Sequence, residues 1–151
     1  MSHRAQQIVD AIAAALVANT SLGASVYTHR MQSLSDEDQE LPAVSVTYGA
    51  DTPVGEGGVE NTVFIDSLLE VFVSCFARHS SESELLTSLL ELRRQAHIAL
   101  QANPAQGLSF VSDTQYAGAD APVVSANGER MDGALSTRWL VRYRMNITDP
   151  G

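Results

Sequence analysis

A chain of 151 residues, 44% hydrophobic and 18% charged, has the size and composition of one globular domain, and no run of about 18 apolar residues could cross a membrane as a helix. The net charge is −9 and all nine basic residues are arginine; without lysine there is no Walker P-loop and no Schiff-base chemistry, and the acidic balance argues against tight nucleic-acid binding. The single cysteine, Cys75, forbids an internal disulfide and offers no zinc site.

The chain opens with an amphipathic pattern from Ser2, a candidate cap, to about Ala18, with Ile8, Ile12, Ala15 and Leu16 as its apolar stripe. Gln6, Gln7 and Asp10 interrupt the apolar run, which favours a helix over a secretory signal. "SVYTHRM", residues 25–31, is a short strand candidate, and "LSDEDQELP", residues 34–42, is an acidic loop closed by proline. "AVSVTYGA" follows as a strand with Val44, Val46 and Tyr48 on one face. "DTPVGEGGVEN", residues 51–61, is a glycine-rich loop.

The long run "TVFIDSLLEVFVSCFARH" has apolar odd positions, among them Ile65, Leu69, Val71, Val73 and Cys75. Its even positions are Phe64, Asp66, Leu68, Glu70, Phe72, Ser74, Phe76 and Arg78. "SSESELLTSLLELRRQAHIALQANP" is the clearest helix: Ser81 and Glu84 form a capping box, Leu85, Leu89, Leu92, Ala96 and Ala99 make a stripe, and Asn103-Pro104 stops it. "LSFVSDTQYA" is a strand. Residues 118–134 read as a long loop, or a loop holding one short edge strand at Pro122–Ser125. "LSTRWLVRYRMNIT" closes the pattern as a strand with Thr137, Trp139, Val141, Tyr143 and Met145 on one face and Ser136, Arg138, Leu140, Arg142 and Arg144 on the other. Residues 1–151 thus describe a single α+β domain, a mainly antiparallel sheet of four to five strands with two helices packed on one face.

The helix-covered face takes the odd positions of the two long strands. The other face carries Arg138, Arg142 and Arg144 on one strand, and Asp66 and Glu70 with Phe64, Leu68 and Phe72 on the other. Two readings stand side by side. Neighbouring strands would set arginines opposite carboxylates within one subunit, each pair worth roughly 0.2–1 kcal/mol. Alternatively, arginine and aromatic residues without lysine match the composition of protein–protein interfaces, so that another subunit covers this face.

No catalytic constellation is visible. His3, His29, His79 and His97 share no metal-ligand spacing and read as surface or capping residues. "GEGGVEN" precedes a strand, so it lacks the helix N-terminus of a phosphate loop. Asp36, Glu37, Asp38 and Glu40 lack the alternating ligands and central glycine of an EF-hand. No nucleophile elbow exists, and Cys75 reads as a buried strand residue. The expectation is a protein without catalytic residues, metal or cofactor, although a site assembled from scattered residues stays open.

The order of elements over about residues 4–148, from the N-terminal amphipathic helix through "LPAVSVTYG" to the final "RYRMNIT", resembles the tail terminator (tail completion, minor tail) proteins of long-tailed bacteriophages, the lambda-like family. The resemblance rests on pattern and length, not on a short motif. It implies a structural virion protein forming a ring, usually of about six subunits, on the head-proximal end of the tail tube. Such a ring stops tube polymerisation and offers a docking surface to the head or neck. The implied partners are further copies of the chain, the major tail tube protein and the head–tail connector, with DNA passing transiently and no membrane. On that reading Asp36, Glu37, Asp38 and Glu40 face a lumen through which DNA slides without sticking. Loops 51–61, with Asp51, Glu56 and Glu60, and 118–134 would order on contact with the tube or a neighbour. A connector or neck protein of the same particle and a cytosolic oligomeric adaptor with no phage connection are the competing readings.

Overall fold

The computed structural model describes residues 3–19, 25–28, 42–54 and 64–151. Helix α1 spans Arg4–Asn19; strands β1 (Ser25–Tyr27), β2 (Ala43–Val54) and β3 (Phe64–His79) follow, then helix α2 (Glu82–Ala102) and strands β4 (Val111–Ala119), β5 (Val123–Asn127) and β6 (Arg130–Asn146). Among the described residues six strands make one mixed sheet in the order β1-β2-β3-β6-β4, with β5 also on β6 and every pairing antiparallel except β1 with β2. This is the expected α+β fold, with β5 as the short edge strand at the expected place.

The odd–even alternation of β3 places Ser67, Leu69, Val71, Val73, Cys75 and Ala77 in the core while its even residues are at least partly exposed. β6 repeats the pattern with Leu135, Thr137, Trp139, Val141 and Tyr143 buried. α2 lies across β3 and β6, and α1 lies beside it over β1 and β2. The α2 stripe is the expected one with Leu100 added. Ser81 is its N-cap, its hydroxyl accepting from the Glu84 N–H at 3.5 Å. In α1, Ile8, Val9, Ile12 and Leu16 are buried, and Val9 takes the place expected of Ala15. Each fully buried aliphatic side chain contributes about 1.5–3 kcal/mol. Burial of Cys75 pushes its thiol up to about 12, so it stays a neutral core residue.

Two tight approaches shape the layers. Gly133 of β6 lies under α2, where a Cβ would sit 2.9 Å from Leu89 Cδ1 and 3.0 Å from Leu85 Cδ2. Gly128 adopts φ 64° at the first position of the two-residue turn joining β5 to β6, the left-handed geometry that such hairpins require. That turn corrects the expectation of a long loop over 118–134. β4 runs to Ala119, the Asp120 N–H donates to Ser136 O at 2.9 Å, and β5 resumes at Val123, so the segment belongs to the sheet. Among the earlier expectations, the Ser2 cap, the strand beyond Thr28, the acidic loop and residues 55–63 lie outside the described residues.

Candidate functional site

The sheet face opposite the helices carries the predicted residues in a fixed register. Across β3 and β6, Phe64 stands opposite Asn146, Asp66 opposite Arg144, Leu68 opposite Arg142, Glu70 opposite Leu140 and Phe72 opposite Arg138. Asp66 is the focus of this arrangement. Its Oδ1 accepts from Arg144 Nε at 3.0 Å, and its Oδ2 from Arg142 Nη2 at 3.3 Å, the first directly opposite and the second on the diagonal. The Arg144 hydrogen bond, helped by Arg142, holds the Asp66 carboxyl below its ordinary 3.8 despite the opposing effect of burial.

The other two charges behave differently. Glu70, expected to pair with these arginines, forms no ion pair with any of them; its Oε1 lies over Gly49 of β2. Arg138 turns away from the carboxylates toward β4 and donates to Ala117 O at 3.4 Å. The two pairs therefore sit within one subunit, and Arg142 and Arg144 remain 47% and 61% exposed and open to a second partner.

The aromatic part of the face is less open than the alternation predicts. Phe64 is exposed, but Leu68, Phe72 and Phe76 are only partly so. Phe72 lies down over Gly49, where its Cε2 is 2.7 Å from the position a Cβ would take. Serine continues the face beside it: Ser45, Ser74 and Ser136 form one row across β2, β3 and β6, with 2.8 Å between the Ser74 and Ser136 hydroxyls. Small side chains there let the flanking phenylalanines settle inward.

Three residues were not foreseen. Arg78 and Asp132 are cross-strand partners, with Arg78 Nε on Oδ1 at 2.5 Å and Nη2 on Oδ2 at 3.2 Å, and Asp132 is 1% exposed. Asp132 fell in the supposed loop, so nothing in the sequence pointed to this pair. Arg4, at the start of α1, donates to Arg144 O and stacks 4.7 Å over Phe110. It lines a groove of about 400 Å³ at the end of the sheet together with Asp66, Ser109, Ser112 and Arg144. Two guanidinium groups thus converge on one carboxylate, and a third lines the same groove.

Asp51 lies in β2 and not in a loop, just past a bulge in the pairing with β3 between Tyr48 and Asp51. It accepts from Tyr143 Oη at 2.5 Å and from Ser67 Oγ. Burial, with Asp51 beside it, pushes the Tyr143 phenol up, so it remains a donor. This is a pin between strands, and Asp51 itself stays exposed. Glu56, Glu60, Asp36, Glu37, Asp38 and Glu40 lie outside the described residues.

No family model and no curated protein matches the chain. Among solved structures the chain is similar to a component of the "Virion of native gene transfer agent (GTA) particle", at 14% identity and a TM-score of 0.40, over 92% of this chain and 90% of that one. The distant similarity spans nearly the full length of both chains. Among the described residues no helix is long and apolar enough to cross a membrane, and no group of three or more His, Cys, Asp or Glu side chains could hold a metal ion.

Proposed function

We propose that this protein is a structural component of a phage-type virion, a tail terminator that forms a ring on the head-proximal end of the tail tube and is not an enzyme. The observation that carries the reading is the sheet face that the helices leave uncovered among the described residues. Arg142 and Arg144 converge on Asp66 with Arg4 beside them, and Phe64 and Phe72 lie on the same surface. Guanidinium forks held in place by an internal carboxylate, next to aromatic rings, form a recognition surface that needs no reacting group. The element order adds the resemblance to tail terminators. On this reading the face meets another component of the particle, the tube protein or a further copy, and DNA passes through the ring without specific binding.

The test is the native mass by light scattering over a wide concentration range, with negative-stain images of the same samples and of purified particles. A closed ring of about six copies, alone or on the tube end, is expected. A dimer at every concentration, with no ring on particles, would refute it. Arg142→Glu tests the face itself: the variant folds but is not incorporated into particles, and incorporation at the wild-type level would remove the face from the assembly role.

A further inference from the structure

β4 and β5 share the edge of the sheet beyond β6 and are built differently. The β4 edge is broken by irregularities between Val111 and Asp113 and between Tyr116 and Gly118. Such bulges protect a free edge from pairing with another chain. β5 has no such protection: its register with β6 runs unbroken from Val123 to Asn127. Its sequence from Ala121 to Ala126 is uncharged, and Val123 is 62% exposed. In a two-residue hairpin the flanking pair, here Asn127 and Arg130, exchanges hydrogen bonds, so pairs alternate and the N–H groups of Val124 and Ala126 point away from β6. Beside this edge, α2 exposes Leu90 over a groove of about 390 Å³ lined by Leu86, Tyr116, Pro122 and Leu135.

The opposite edge of the same sheet is β1, which among the described residues pairs only with β2. One row of register partners crosses the whole sheet from Val123 through Ala134, Phe76 and Ala43 to Ser25. β1 is parallel to β2, and three antiparallel steps then lead to β5, so β1 and β5 run in opposite directions. Two copies placed side by side with their helices on the same face therefore bring β5 of one against β1 of the next as an antiparallel pair. The helix layers meet in the same movement. α2 of one copy, with Leu90 exposed, approaches α1 of the next, which covers β1 and β2 and carries Val17, 66% exposed, near its end.

We infer that copies of this chain join head to tail by pairing β5 of one with β1 of the next, extending one sheet from subunit to subunit. This rests on the ring reading above and names how the ring closes. An interface that uses two different edges is heterologous, the kind that closes into rings. It also leaves the arginine and aromatic face free for a different component of the particle.

The test uses Ala126→Pro, which removes an N–H that β6 does not use, and Val124→Lys, which sets a charge on the helix side of the edge. Both should keep the wild-type far-UV spectrum and melting temperature and give monomers where the wild type gives rings. Val17→Glu, on the other half of the contact, should do the same. A mixture of Ala126→Pro with Val17→Glu still contains one intact junction and should yield a one-to-one dimer. Rings of wild-type size from Ala126→Pro and Val124→Lys would overturn the edge pairing and leave the ring reading standing. A mixture that stays monomeric, or a two-fold dimer of wild type lost in Ala126→Pro, would overturn the head-to-tail arrangement. Absence of any ring, in solution and on particles, would sink both.

Discussion

Arg78→Met should be among the most damaging single substitutions in this protein, although Arg78 lies on the face away from the helices. Asp132 is 1% exposed and its two oxygens are both taken by the Arg78 guanidinium, which is itself 18% exposed. Removing the arginine strands a buried carboxylate, which costs about 3–5 kcal/mol. At about 2–4 °C per kcal/mol for a chain of this size, a loss of about 4 kcal/mol lowers the melting temperature by roughly 8–16 °C. Asp132→Leu leaves the charge on the more accessible Arg78, which can turn toward water, so its cost is lower, about 1–2 kcal/mol. The double variant removes both charges of the pair and should return to within about 1 kcal/mol of wild type. Urea unfolding followed by the fluorescence of Trp139, the only tryptophan and fully buried, measures all four proteins. Additive losses in the double variant, or a cost below about 1 kcal/mol for Arg78→Met, would show that the pair is not held out of water as its geometry indicates.

Gly133→Ala should cost about 1–3 kcal/mol, because the new methyl meets Leu85 and Leu89, which have no room to retreat; Gly49→Ala meets only the ends of Glu70 and Phe72 on the partly open face and should cost less than about half of that. Paired thermal melts compare the two, and equal losses would count against this account of the packing. Asp66→Asn should lower stability by about 1 kcal/mol at neutral pH. Arg144 and then Arg142 depress the folded carboxyl, so its contribution is complete above the unfolded value near 3.8 and fades as pH falls through the folded one. Wild type and variant should therefore converge in acid, and a gap that widens there would contradict the sign. Cys75 should resist thiol reagents in the native protein and react only on unfolding; rapid native labelling would place it outside the core.

What the sequence made legible was whatever repeats along the chain. The alternation of β3 and β6 and the capped stripe of α2 each restate the same preference at many positions, so one odd residue does not hide the pattern. The β5 turn escaped because Gly128-Glu129 carries one weak cue, and Asp132, three residues on, looks like a loop residue until its partner is seen. Register was equally hidden. The composition of the two strands suggests several arginine–carboxylate pairs, and only the alignment of Asp66 with Arg144 reveals that two arginines share one carboxylate while Glu70 stands apart. Arg4 joins this group from the other end of the sequence, which no local pattern can show.

β3 and β6 pair residue for residue from Phe64–Asn146 to His79–Met131 without a single irregularity. At about 3.3 Å per residue this ladder is roughly 50 Å long, whereas a helix of the length of α2 spans only about 30 Å. α2 lies toward the His79 end, with Leu85 and Leu89 over Gly133, and Arg4 of α1 meets Arg144 near the other end, so no single helix backs the whole ladder. An unbroken ladder has no hinge. It forms one continuous strut that ties the Phe64 end of the sheet to the His79 end with every residue in register.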